Sequence, residues 1–158
     1  ETVQSAENKQ LQETLEKIRT QATTITDNLN DYNWIGSEED GKISYLDDEG
    51  VVKKVLVYPS LSQDGYYEEY YYWEGELFFA YIWADHNTLS YLKAGEQKVD
   101  LYYYDDGKLI RWIDENNVCH DNETDNEEYV DRGKKYWDQA EEYKSQLNAS
   151  ASSTDTDE

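Results

Sequence analysis

Tyr66-Tyr67-Glu68-Glu69-Tyr70-Tyr71-Tyr72-Trp73 is the stretch on which the fold of this chain turns. It is rich in β-favouring aromatic residues and holds neither proline nor glycine. Successive side chains of a strand face opposite sides of a sheet, so this run sets large rings on both faces. One face can be buried as core. The other must be covered by a second element or meet a ligand.

Working outward, Glu74-Gly75 follows the run and a second apolar strand covers 76–84. The same unit occurs twice more. Strand 43–46, Glu49-Gly50 and strand 51–58 form one copy, and strand 99–104, Asp106-Gly107 and strand 108–114 form the other. Asp-Gly between two strand-like runs is a strong hairpin signal, because a type I′ turn needs positive φ at both central residues. Glu-Gly is a weaker form of the same signal. Pro59 and the segments 60–65 and 85–97 punctuate the three units. Three hairpins predict six antiparallel strands in a meander over about residues 42–114.

Two helical patterns flank the strands. Leu11, Leu15, Ile18, Ala22, Ile25, Leu29 and Tyr32 recur in steps of four and three, predicting an amphipathic helix over about 5–32. Tyr129, Gly133, Tyr136, Ala140, Tyr143 and Leu147 keep the same spacing, widened by Trp137, over about 126–147. Asp125 or Asn126 is placed to cap the second helix, with Glu127 and Glu128 in its first turn. The two stripes could pair as a coiled coil or dock on the sheet, and a sheet needing cover favours docking. The Ser/Thr/Asp-rich tail 148–158 holds no large apolar residue and is expected to be disordered. The fold class is therefore α+β: one domain over 1–147, with a six-stranded meander between two amphipathic helices.

The formal charge of −22 comes from 36 acidic and 14 basic residues among 158. Such a field repels nucleic acid and favours cationic partners, besides keeping an aromatic-rich surface in solution. No apolar run approaches the ~20 residues needed to span a bilayer. The chain begins at Glu1 and contains no Met, which points to an N-terminal segment either removed from it or not included in it. A signal peptide would account for this, and the polar start, 1–10, suits a tether below a lipid anchor. An extracellular or anchored location on a bacterial surface follows as the expectation. Cys119 is the single cysteine, so an intramolecular disulfide is excluded.

Tyr103-Tyr104-Asp105-Asp106-Gly107-Lys108-Leu109-Ile110 resembles the Tyr-Tyr-x-x-Gly-x-Leu units of MORN-like repeat proteins. It is similar also to hairpin repeats of exported lipoproteins of Gram-positive bacteria. The likeness is confined to the hairpins, and Gly50, Gly75 and Gly107 lack the even spacing of the MORN unit. It implies architecture and location, and carries no catalytic residue.

Pairing across two-residue turns sorts the side chains by face. In the third hairpin, Tyr103 then opposes Ile110 and Leu101 opposes Trp112. These, with Val99, make one face. The other carries Tyr102 with Arg111, Tyr104 with Leu109 and Asp100 with Ile113. In the middle hairpin, Tyr72, Leu77, Tyr70, Phe79, Glu68, Tyr81, Tyr66 and Trp83 share a face. Trp73, Tyr71, Phe78, Glu69, Ala80, Tyr67 and Ile82 share the opposite one. Glu68, Tyr70, Tyr72, Asp100, Tyr102 and Arg111 are thus the candidate ligand-binding residues: rings with carboxylates and a cation among them, suited to a sugar or to a cationic peptide. The competing outcome is that helices cover these rings as core.

Catalytic chemistry finds little support. Glu68/Glu69, Asp47/Asp48, Asp105/Asp106 and Asp114/Glu115 are sequence neighbours that point to opposite faces in a strand, whereas glycosidase chemistry needs two carboxylates across a cleft. The acidic run 121–128 has calcium-loop composition but lacks the EF-hand glycine and 1-3-5 spacing, so it reads as a turn before the last helix. His86, Cys119 and His120 are too few for a structural zinc site without carboxylates, and Cys119-His120 are adjacent rather than brought together by a fold. No catalytic residue, metal or cofactor is assigned. The expected role is non-enzymatic binding of a peptide, protein or glycan through a Tyr/Trp-rich sheet face. A structural or accessory lipoprotein acting by assembly and a glycan-active hydrolase stand as alternatives.

Overall fold

The computed structural model describes residues 3–37, 39, 41–58, 65–85, 89 and 91–155. Pro59 and His86 lie outside the described residues. Helix α1 (Val3–Asp27) leads through a 3-10 turn (Leu29–Asp31) into eight strands. These are β1 (Asn33–Ser37), β2 (Lys42–Leu46), β3 (Val52–Val57), β4 (Tyr66–Trp73), β5 (Glu76–Asp85), β6 (Gln97–Asp105), β7 (Lys108–Ile113) and β8 (Cys119–Asp121). Helix α2 (Glu127–Asp155) closes the chain. No helix among the described residues is long and apolar enough to cross a membrane.

The strands form one antiparallel sheet in the order β1-β2-β3-β4-β5-β6-β7-β8. The fold class α+β is as expected, but the sheet has eight strands rather than six. The two extra strands are its edges, and both are short. The helix expected over 5–32 ends at Asp27, so Leu29 and Tyr32 are not on it, and Asn33–Ser37 follows as a strand. The helix stops at Asp27 because Asn28 turns its amide back to Thr24 O (2.8 Å) and Asn30 and Asp31 favour turn over helix. Gly36 then holds φ +107°, where a Cβ would sit 2.2 Å from Lys42 O, so only glycine lets β1 lie against β2. At the other edge, Asn117 adopts φ 65° in the turn that returns the chain as β8.

Glu74 (φ 53°) with Gly75 and Asp106 (φ 50°) with Gly107 make the two-residue turns that the sequence signals. Two pairs from each turn the register slips by one residue. Tyr72 opposes Leu77 but Tyr71 opposes Phe79; Tyr104 opposes Leu109 but Tyr103 opposes Arg111. Leu46 opposes Val52 but Tyr45 opposes Lys54 in the same way. Each hairpin thus carries a β-bulge at an equivalent place, with Lys53, Phe78 and Ile110 as the extra residues.

These bulges overturn the face assignments made by simple pairing. A one-residue slip moves every later side chain of a strand to the other face. Tyr70 opposes Ala80 and not Phe79, Glu68 opposes Ile82 and not Tyr81, and Tyr66 opposes Ala84 and not Trp83. Tyr102 opposes Trp112 and not Arg111, and Leu101 opposes Ile113 and not Trp112.

The helices dock on opposite faces, so they do not form a coiled coil. Leu15, Ile18 and Ile25 of α1 bury against Tyr71, Phe78, Tyr103 and Ile110. Tyr129, Tyr136 and Ala140 of α2 bury against Val55, Tyr70, Tyr72, Ala80, Tyr102, Tyr104, Leu109 and Trp112. Asn126 caps α2, its Oδ1 accepting from the Glu128 amide at 3.1 Å. The backbone of α2 runs on past 147 to Asp155, through part of the tail expected to be disordered. Buried tyrosines stitch helix to sheet. Tyr72 Oη donates to Ala140 O and Tyr104 Oη to Gly133 O, both at 2.7 Å, and Tyr129 Oη donates to Leu109 O at 2.9 Å. Each bond gives a buried hydroxyl the partner it needs.

Candidate functional site

The six residues chosen from sequence divide between the two faces. Tyr70, Tyr72 and Tyr102 are wholly buried beneath α2, and Glu68 is 6% exposed. Glu68 accepts hydrogen bonds from Tyr66 Oη (2.8 Å) and Tyr70 Oη (2.7 Å). Tyr70 Oη also lies 2.7 Å from the Gln139 side-chain amide of α2. One hydroxyl carries one proton, so both contacts are satisfied when Tyr70 donates to Glu68 and the Gln139 NH2 faces the phenol oxygen. Desolvation, and then the Glu68 charge, push the Tyr70 phenol far above its ordinary range.

Asp100 accepts from Trp112 Nε1 at 2.9 Å and lies 3.8 Å from Arg132 of α2, which donates to Tyr102 Oη at 2.9 Å. Burial raises the Asp100 carboxyl against these two partners. Arg111 sits apart, on the face of α1, forking onto Asp121 at 2.6 and 2.9 Å. The six do not form a platform. Five make the polar lining of the α2 interface, where α2 covers them, and the sixth fastens β7 to β8.

The acidic stretch before α2 is likewise engaged. His120 lies between Asp114, 2.8 Å from Nε2, and Glu123, 3.0 Å from Nδ1, and its ring stacks on Trp112 at 4.5 Å. The Asp114 bond, opposed by partial burial and helped by Glu123, holds the imidazole above its ordinary pKa. Asp121 is taken by Arg111, and Asn126 donates to Glu123 and caps the helix. Cys119, next to His120, is exposed.

The aromatic surface that remains open was split by the sequence pairing. Tyr67 was assigned to one face and Tyr81 and Trp83 to the other, but the bulge at Phe78 unites them. Tyr67 opposes Trp83, and Glu69 opposes Tyr81, in the row that continues to Tyr71 and Phe79 under α1. Helix α1 packs on the turn end of this face, over Tyr71, Phe78, Tyr103 and Ile110. Beyond it, Tyr58, just past the end of β3, Tyr67 of β4 and Tyr81 and Trp83 of β5 stay half-buried in a row.

The rings of this shelf stand on edge. Tyr67 stacks on Trp83 at 5.0 Å and 21° and on Tyr81 at 5.9 Å and 23°, with Tyr58 tilted against it at 6.5 Å. Ring faces of Tyr67, Tyr81 and Trp83 are therefore turned to one another, and the Tyr67 and Tyr81 hydroxyls are hydrogen-bonded together. Trp83 Nε1 donates to Gln97 Oε1 at 2.8 Å, which fixes the indole. Glu69 on this face is paired with Lys54 at 2.7 Å and accepts from Tyr71. Burial, then Tyr81, raises the Tyr67 phenol well beyond its usual range. The only cue in the sequence was the period-two run 79-81-83, legible once a bulge is admitted. Comparison with protein-family models, with curated proteins and with solved structures finds no match to this chain.

Proposed function

We propose that this chain is a non-enzymatic binding domain of the exported or cell-surface kind, and that it takes a protein or peptide on the shelf of Tyr58, Tyr67, Tyr81 and Trp83. The observation that carries the proposal is the half-covered face: α1 shields its turn end and, among the described residues, leaves an aromatic row running from just past β3 across β4 and β5. Tyrosine and tryptophan supply large contact area at small entropic cost, which is why they concentrate at protein interfaces. A sugar ring docks on a bare aromatic face, and here Tyr67 is stacked against both Trp83 and Tyr81, and Trp83 has one face taken by Tyr67. Ring edges and phenol hydroxyls suit the mixed polar and apolar surface of a polypeptide better. The −22 charge steers basic partners toward the molecule.

Paired peptide and glycan arrays, probed with the wild-type chain and with Tyr81→Ser and Trp83→Ser, test this. Binding to peptides, weakened about tenfold or more in both variants, is the expected result. Urea unfolding of the variants separates loss of contact from loss of fold. Silence of the wild type on both arrays, or equal binding by the variants, overturns the proposal, and binding confined to glycans reverses the choice of ligand.

A further inference from the structure

Clefts on this surface differ in charge. Two grooves beside α1 are lined by carboxylates: Glu7, Asp105 and Asp106 in one, Glu74, Glu76, Asp105 and Asp106 in the other. A further cavity, of about 280 Å³, lies between α2 and the β6–β7 turn. Its walls hold two lysines, Lys108 and Lys134, and no carboxylate among the described residues. In the chain as a whole, acidic residues outnumber basic ones 36 to 14.

Most of the remaining lining is apolar. The rings of Tyr104, Tyr129 and Trp137 and the side chain of Val130 contribute to it. Both phenol hydroxyls are used in backbone bonds, Tyr104 to Gly133 O and Tyr129 to Leu109 O, so these rings offer the cavity carbon rather than oxygen. Gly107 brings the turn against the indole: a Cβ there would lie 3.8 Å from Trp137 Cη2. Val130 and the two lysines are exposed and mark the open side.

An apolar hollow bordered by amines fits a ligand with a carbon body and an anionic head. The head carries one charge and not several. Each added negative charge meets the field of a chain at −22, whereas a single carboxylate gains the two amines and its body gains apolar burial. Lys134 is ion-paired with Asp138, and Lys108 also borders the groove of Glu7, Asp105 and Asp106. Exposed ion pairs are worth little, so either amine can turn to a bound anion at small cost. The volume is small for a ligand site and admits a short chain or a single ring. We propose that the cavity between α2 and the β6–β7 turn binds a small monocarboxylic acid with an apolar body. It lies on the face of α2, apart from the aromatic shelf, and either site can fail without the other.

Octanoate is the probe, with octanol and octylammonium as neutral and cationic counterparts of the same chain length. Titration of the isotope-labelled whole chain, followed by NMR, reads the amides of Gly107 and Gly133, both in the lining. Octanoate should shift both saturably, octanol should bind about tenfold more weakly, and octylammonium should leave them in place. Lys108→Gln and Lys134→Gln each weaken octanoate binding about threefold. Asp138→Asn, which releases Lys134, strengthens it about twofold. Val130→Asp abolishes the shifts, while Tyr81→Ser leaves them unchanged. These four cavity variants are at exposed positions, and unchanged urea midpoints show that the fold is kept. Equal binding of octanol, binding of octylammonium, shifts at other glycines only, or no shift at all overturns the proposal.

Discussion

Gly133 lies in the interior of α2, where glycine costs about 1 kcal/mol relative to alanine by helix propensity alone. The structure says why it is there. A Cβ at this position would lie 3.0 Å from Leu109 Cδ2, 3.2 Å from its Cβ and 3.7 Å from its Cγ. The Gly133 carbonyl also accepts the Tyr104 hydroxyl at 2.7 Å, which holds the helix close to β6. Gly133→Ala therefore sets a propensity gain of about 1 kcal/mol against overpacking of roughly 1–3 kcal/mol. The clash wins, because the tightest contact, Leu109 Cδ2 at 3.0 Å, belongs to a side chain that is itself buried under α2 and has no room to swing aside. The net loss is about 1 kcal/mol, lowering Tm by about 2–4 °C for a chain of this size. Leu109→Ala costs roughly 2–5 kcal/mol by itself, but it removes the Cδ2 at 3.0 Å and leaves only the Cβ at 3.2 Å, so in that background most of the clash is relieved and Gly133→Ala stabilises. A double-mutant cycle by urea denaturation should then give a coupling of about 2 kcal/mol. If Gly133→Ala stabilises equally with and without Leu109, the close approach of α2 is not what places glycine at 133, and the reasoning fails.

Two further predictions concern the buried polar groups. Tyr72→Phe leaves the Ala140 carbonyl without its phenol partner and should cost about 1–3 kcal/mol in urea unfolding; an unchanged midpoint would mean that carbonyl finds another donor. His120 has a folded pKa above its ordinary 6.5, so it holds its proton more tightly in the folded chain. Its contribution is complete below about 6.5 and is lost as pH rises through the folded value. The stability gap between wild type and His120→Gln should therefore shrink as pH is raised from about 5.5 to 8.5, and a constant gap would refute the clamp. Asp114 and Glu123, both lowered, act oppositely, adding stability above their ordinary values that disappears as pH falls through the folded ones.

Both helical stripes, the Glu74-Gly75 and Asp106-Gly107 turns and the antiparallel order were legible in the sequence, because each rests on local periodicity or on the conformational freedom of a single residue. The Asn126 cap was legible for the same reason. The two edge strands were not. Asn33–Ser37 and Cys119–Asp121 are too short to show a period, and they exist because β2 and β7 offer them a partner. Nor did the sequence reveal that Glu68, Tyr70, Tyr72 and Tyr102 would be interior. Their exposure depended on which face α2 would cover.

The aromatic run Tyr66–Trp73 thus determined by itself that rings would line both faces of a sheet, since alternation is a property of any extended chain. Which rings would share a face was decided only in three dimensions. The bulge at Phe78 turns that ring beneath α1 and shifts Tyr81 and Trp83 across to join Tyr67. A register slip of one residue leaves no mark in local propensity, because its energy lies in the packing of Phe78 into one cluster with Leu15, Ile18 and Ile25 of a helix far away in the chain.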